Sequence, residues 1–394
     1  MKNKTFSITN YRFAGKQTLV SLLCALCVLC GSISAQDFKT LKDGVEYAEV
    51  TKEISGTKVN MNLLRLDLKK VRLDVHHAMD AAIGTEKTSS IATRHGAFAA
   101  INAGFFRLDT SIWAGEAAGV LQIDRRVYGE PTNNRTALII FDSSNSQTVL
   151  FSKIPFYLEP IMVGSKTIPI NGINRERKDI DDLVIYTPEF HSSTLTRPGG
   201  VEIVVHNGRV DQIETDRGST AIPPGGLVIS ATGKSATLLR MLRKGQRIRV
   251  PTLFSFSYEL RKHGEFLLPD DITNGVPQLI KDGKIDITWE LEKSSKSFVE
   301  TRHPRTAVAK LKDGKFLMIT VDGRSESSGG IGLQDLAEYL LSLGATDAMN
   351  LDGGGSSTMF VDGKVVNKPS DKEGERKVSD AILVTLRNRD RKKK

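Results

Sequence analysis

The chain has 394 residues, 39% of them hydrophobic and 26% charged, and a formal net charge of +9. The excess charge sits at the two ends: Lys2, Lys4, Arg12 and Lys16 near the start, and the run Arg387 to Lys394 at the finish. The body between them is close to neutral, which excludes a nucleic-acid reader with a basic face and interleaved aromatics.

Residues 1–35 read as a secretory signal. A basic segment without acidic residues precedes an apolar stretch, Leu19 to Leu29, that is short for a membrane span. Small residues follow, Gly31 to Ala35, and cleavage is expected after Ala35. The three cysteines, Cys24, Cys27 and Cys30, all lie in this segment. A lipoprotein signal is disfavoured, because each follows a leucine where lipid attachment needs a small residue. The mature chain then has no cysteine, hence no disulfide, no thiolate metal site and no cysteine nucleophile. The expected location is periplasmic or extracellular.

Residues 36–92 form an N-terminal strand-rich portion. VNMNLLRLDL (59–68) and VRLDVHHAM (71–79) alternate as strands do. His76 and His77 fall at a strand end and read as structural or solvated in preference to ligands. A short helix is expected over 88–97, starting at Thr88 or Ser89. AFAAINAGFF (97–106) reads as a buried strand leaving at Asn102, which is a turn residue or a polar site residue. From 131 to 265 the pattern is short strands and loops, with His206-Asn207-Gly208-Arg209 as a hairpin turn. Ala231 to Ser235 imitates a phosphate-binding loop but has Val228 where the pattern needs glycine. Neither HExxH nor GxSxG occurs.

The C-terminal third is denser in signals. TAVAKLKDGKFLMITVDGR (306–324) is two strands about Asp313-Gly314. A two-residue turn there places Arg305 directly opposite Asp322. That pair is either a cross-strand salt bridge or an anion clamp held by its carboxylate. Leu333, Leu336, Ala337, Leu340 and Leu341 mark a helix over 332–344, ended by Gly344. Ala348 to Asp352 is a strand with Met349 and Leu351 on one face and Asn350 and Asp352 on the other. It runs into Gly353-Gly354-Gly355 and then Ser356, Ser357 and Thr358. Such a turn can expose several N–H groups and hydroxyls to an anion. A second hairpin at Asp362-Gly363 sets Thr358 opposite Asn367 and brings Lys368 beside the serines. AILVTL (381–386) is a buried closing strand.

INAGFF (101–106), RTAVA (305–309), VDGR (321–324), GLQDLAEYLLSLGA (332–345), NLDGGGSST (350–358), NKPS (367–370) and ERKVSDAILV (375–384) together resemble the phosphodiester glycosidase family. Two positions depart from that pattern: Ala103 stands where glycine is frequent, and Asp380 where asparagine is usual. The resemblance assigns residues 93–386 to one domain, with 387–394 as a basic tail. The expected fold class is α+β, with mixed, mostly antiparallel sheets and a few packed helices.

The resemblance implies hydrolysis between an anomeric carbon and a phosphodiester oxygen, giving a sugar and a phosphomonoester. Phosphate leaves readily, so the demand is for charge stabilisation at phosphate and at the anomeric carbon. Arg305, the N–H groups of 353–357 and Ser356 are candidates for the phosphate. Asp352 or Asp322 would act as base, nucleophile or stabiliser. Asn102 and Asn367 would meet sugar hydroxyls, and Asn350, Ser357, Lys368, Glu375 and Arg376 complete the substrate-binding set. No cofactor is expected, and the metal requirement is open. The competing readings are a non-catalytic envelope protein that binds anionic glycans and a metal-dependent hydrolase that cuts the P–O bond. The sequence shows no spaced His/Asp cluster for the latter.

Overall fold

The computed structural model describes residues 37–387 apart from 133, 144, 155–157, 251–259 and 263–264. The expected signal segment with its cysteines, and the basic tail beyond Arg387, lie outside the described residues.

Strands account for 44% of the structure and helices for 11%. The expected α+β class is therefore wrong, and the fold is mostly β. One strongly periodic helix, at 333–342, suggested a helical layer that does not exist. Among the described residues there are four α-helices, five to ten residues long, each covering part of a sheet face or end.

The largest sheet has eight strands. Their spatial order is Lys39–Lys42, Val45–Ile54, Thr57–Leu66, Phe316–Val321, Arg305–Leu311, Ala345–Asn350, Gln278–Lys281 and Lys284–Ile285. The strand-rich start of the chain thus shares a sheet with the C-terminal third. Both faces of its centre are covered, which is why RTAVAKL and FLMITV are apolar nearly throughout. Val308, Met318 and Met349 enter one core with Leu138, Ile140, Ile101 and Ile382. Ala307, Ile319 and Ala348 face the other way, onto Leu333, Leu336, Ala337 and Leu340 of the helix Leu333–Ser342. Met349 and Leu351 share the first core, as alternation requires.

A five-stranded sheet meets that core from the other side, in the order Lys364–Val365, Met359–Val361, Ala99–Asn102, Asp380–Leu386 and Val71–His77. Its central strand ends at Asn102, and the glycine loop after Asn350 bridges it to the large sheet. Two further five-stranded sheets are built mainly from the middle of the chain. The hairpin expected at Asn207-Gly208 is present, with φ of 50° and 68° at the two turn residues and His206 paired with Arg209.

The two Asp-Gly hairpins behave differently. About Asp362-Gly363 both residues have positive φ, 47° and 83°, and Phe360 pairs with Val365 as the two-residue turn requires. About Asp313-Gly314 only the glycine does, with φ 82°. The loop there is Lys312-Asp313-Gly314, and the Asp313 carboxylate accepts the Lys315 N–H at 3.1 Å. The extra residue shifts the register by one: Arg305 pairs with Val321, not with Asp322. The cross-strand neighbours inferred from the sequence do not exist, because a one-residue slip turns side chains to opposite faces.

Candidate active site

Asn102 is the node of the site. It is fully buried. Its amide donates to the Asp352 carbonyl at 2.7 Å, and its Oδ1 accepts from the Thr306 hydroxyl at 2.9 Å and the Thr358 N–H at 3.0 Å. One side chain therefore ties the end of its own strand to the large sheet and to both ends of the glycine–serine loop. It thereby positions the loop, with one of its two amide N–H donors engaged there.

Asp352 follows the strand end and keeps part of its surface. Its N–H donates to Ala103 O at 3.0 Å, and its carboxylate accepts the Gly353 N–H at 3.0 Å. Loss of water around the carboxyl pushes its pKa up to about 6, against the favourable pull of Ser356, Arg376 and the Gly353 N–H. Nearby Asp380 adds to the rise. The Ser356 hydroxyl lies close enough to favour the ionised form, but not in a well-formed hydrogen bond.

Most N–H groups of the triple-glycine loop are engaged within the fold. The N–H groups of Gly354, Ser356 and Ser357 go to Pro304 O, Gly353 O and Gly354 O. The glycines serve close approach. A Cβ on Gly353 would lie 2.9 Å from Pro304 O, and one on Gly355 2.2 Å from Arg376 Nη2. What the loop leaves open are side chains. The hydroxyls of Ser356, Ser357 and Thr358 and the Asn350 Oδ1 are buried without a partner among the described residues. Asn350 itself donates to Val276 O at 2.7 Å and Leu351 O at 2.8 Å. Buried orphans at this density call for a ligand or ordered water.

Asp322 sits under the second hairpin. It accepts Lys368 N–H at 3.0 Å and the Asn367 amide at 3.3 Å, and burial raises its pKa. Asn367 also donates to Ser357 O at 2.9 Å, so NKPS does lie against the serine loop.

Arg305 passes beside the loop, with its Cδ 3.8 Å from where a Gly353 Cβ would stand, but its head group turns to backbone carbonyls. It is 1% exposed, and its guanidinium donates to Phe298 O at 2.7 Å, Thr301 O at 2.8 Å and Ile331 O at 3.2 Å. It stacks over the Phe298 ring with 4.9 Å to the centroid. The Phe298 and Thr301 carbonyls close the C-terminal end of the helix Lys296–Glu300, where a cation belongs. The guanidinium is thus held by carbonyls and not by Asp322 as the sequence suggested, and it caps this helix beside the glycine loop.

Glu375 and Arg376 divide. Glu375 accepts the N–H of Ser89 at 2.7 Å and its hydroxyl at 2.6 Å, capping the helix Thr88–Arg94. Glu375→Ala is expected to cost about 1 kcal/mol in a denaturant melt, with the rate per folded molecule unchanged. Arg376 grips Asp371 with two bonds, 2.7 and 3.0 Å, against Gly355.

Sequence reasoning missed Arg324. It is exposed, holds φ 59° and lies over Gly354, with Nη2 3.1 Å from where a Cβ would stand. Among the described residues nothing pairs with its guanidinium. Its place depends on the turn after Asp322, for which the chain carries no local signal. Asp380, the departure from the family pattern, is buried and accepts the Gly104 N–H at 3.1 Å and the hydroxyls of Thr273 at 2.7 Å and Ser379 at 2.9 Å. Three donors suit a carboxylate, which only accepts.

Residues 199–385 match the phosphodiester glycosidase family. The resemblance read from the sequence is thus found independently for that stretch; INAGFF lies ahead of it. N-acetylglucosamine-1-phosphodiester alpha-N-acetylglucosaminidase of Bos taurus is 31% identical over 184 residues, 44% of this chain and 34% of that protein. The SPbeta prophage-derived uncharacterized protein YomE of Bacillus subtilis is 44% identical over 87 residues, 22% of this chain and 13% of that protein. The chain thus spans about a third or less of the length of these relatives. A crystal structure of a hypothetical protein from Synechocystis superposes with a TM-score of 0.74 at 23% identity, covering 90% of this chain and 64% of that one. At that identity the likeness is one of fold.

Proposed function

We propose that the protein hydrolyses sugar-1-phosphodiesters at the glycosidic bond, releasing the sugar and a phosphomonoester. The observation that carries this reading is the Asp352 carboxyl, raised to about 6, beside a loop of buried hydroxyls without partners. In this reading Arg324, with Arg376 beside it, would supply positive charge to the phosphate, and Asp352 would face the anomeric carbon. The family match and the bovine relative's name support the reaction class. The test is a panel of sugar-1-phosphodiesters with both products measured. Release of sugar and phosphomonoester is expected; binding without turnover would replace the enzyme by a glycan-binding protein. The anomer first released tells whether Asp352 attacks carbon or activates water.

A carboxylate acting in its ionised form loses activity as it is protonated. The value of kcat/KM should fall about tenfold per pH unit below about 6, and flatten above it. A flat profile from pH 4 to 8 would remove Asp352 from the reaction. Arg324→Ala should raise KM about tenfold while leaving the melting temperature within a degree or so, because the side chain is exposed and unpaired. Equal KM for variant and wild type would leave Arg376 as the phosphate contact.

We also propose that the enzyme works outside the cytoplasm, on the strength of residues 1–35. The mature protein should begin at Gln36; terminal sequencing that finds Met1 on chain from the cell envelope would refute this.

A further inference from the structure

The strand Val71–His77 and the helix Thr88–Arg94 each end in histidine-bearing chain, and the fold brings these ends together. The rings of His76 and His95 stack at 3.8 Å between centroids. His95 Nε2 stands 3.0 Å from Asp80 Oδ1. One ligand atom from each of His76, Asp80 and His95 can be chosen so that all three lie within 4.8 Å of one another. Neither nitrogen of His76 has a hydrogen-bond partner among the described residues, although the ring is half-buried. The two rings open onto a cavity of about 230 Å³ that Asp74, Asp124 and Asp271 also line, with Arg72 as its one cation. Carboxylates thus outnumber cations around an imidazole pair, an environment that favours a metal cation.

We propose that His76, Asp80 and His95 form a binding site for a divalent transition metal of the zinc type. Imidazole and carboxylate are its ordinary ligands, and three protein ligands with water complete a tetrahedron. Ligand atoms about 2.1 Å from a tetrahedral zinc stand about 3.4 Å apart. The Asp80–His95 pair, at 3.0 Å, is near that spacing, and the stacked rings would turn apart to aim both nitrogens at one ion. Asp80 is exposed on the short turn Ala78–Asp80, where His95 and Arg94 hold its carboxylate.

A resident guanidinium sets the affinity. Arg94 Nη1 contacts Asp80 Oδ2 and lies 3.0 Å from His95 Nε2, while Nη2 holds Glu86 at 2.8 Å. The metal takes over the first two partners, and Arg94 keeps Glu86. The guanidinium is thus a competitor that weakens the site without abolishing it. The bound ion would clip the end of one strand to the end of the helix that Glu375 caps at its other end, 286 positions away in sequence from Ser89. The role is one of stability, separate from the reaction at Asp352.

The test uses chain without an affinity tag, stripped with chelator and titrated with Zn²⁺ by calorimetry at pH 7.5. One zinc per chain is expected, with Kd on the order of micromolar, and a melting temperature that rises with free zinc. His76→Ala and His95→Ala should each weaken binding at least about tenfold. Asp80→Asn should do the same, and it suits the positive φ of 52° at that position, so it keeps the fold. Arg94→Gln should tighten binding about tenfold, a result that a purely structural histidine pair would not give. Co²⁺ in place of zinc should show the absorption of a four-coordinate ion. Absence of binding up to about 100 µM zinc would overturn the proposal, as would unchanged binding in the His76→Ala/His95→Ala variant.

Discussion

Asp352→Asn should lower kcat on the order of a hundredfold or more and leave the protein folded. The amide keeps the size of the side chain, and its Oδ1 can still accept the Gly353 N–H. What it loses is charge and basicity. Stability separates this outcome from a structural role. The folded chain holds the Asp352 proton more tightly than the unfolded chain, since the value rises from 3.8 to about 6. That preference favours the fold below pH 3.8 and is lost as pH climbs through about 6. At pH 7 the buried anion is a burden that asparagine does not carry. The variant should therefore melt at or above the wild-type temperature while turning over far more slowly. A stable variant with near-normal kcat would shift the catalytic role to Asp322.

Arg305→Met should have the reverse signature. Removing the guanidinium strands the carbonyls of Phe298, Thr301 and Ile331 in a buried place. The expected loss is about 3 kcal/mol in urea unfolding, with kcat per folded molecule changed less than about threefold. Burial and the charge of Arg324 lower the Arg305 pKa to about 10, so the group is still charged at neutral pH and the carbonyls are its counterweight. A hundredfold fall in kcat at unchanged stability would restore Arg305 to the reaction.

These two residues show what the sequence could and could not tell. Asp352 was legible because its environment is local: an alternating strand, then glycine, then hydroxyls. The Asp362-Gly363 register was legible for the same reason, and it placed Asn367 against the serine loop. Arg305 was misread because Asp-Gly fits two loop lengths, and the choice between them rests on backbone angles that the dipeptide does not dictate. Glu375 was placed in the site by its neighbourhood in the chain, yet its partner is a helix N-terminus far away in sequence. Arg324 was overlooked because only tertiary packing lays it on Gly354. The middle of the chain was read as short strands, yet the β-rich class was missed because one amphipathic helix carries a stronger pattern than any of them. The histidine–aspartate group escaped for a similar reason: His76 and Asp80 come from a strand end, and His95 from beyond a helix.

The strand Ala99–Asn102 lies between Met359–Val361 and Asp380–Leu386. Its last residue bonds to a partner 250 positions later. A chain emerging from a ribosome or a translocation channel therefore cannot assemble the candidate site until residues 359–386 are free. Folding is dominated by contacts of high sequence separation, which makes it slow. Until then the apolar strand at 99–102 has neither of its neighbours, and it is the segment through which incomplete chains would associate.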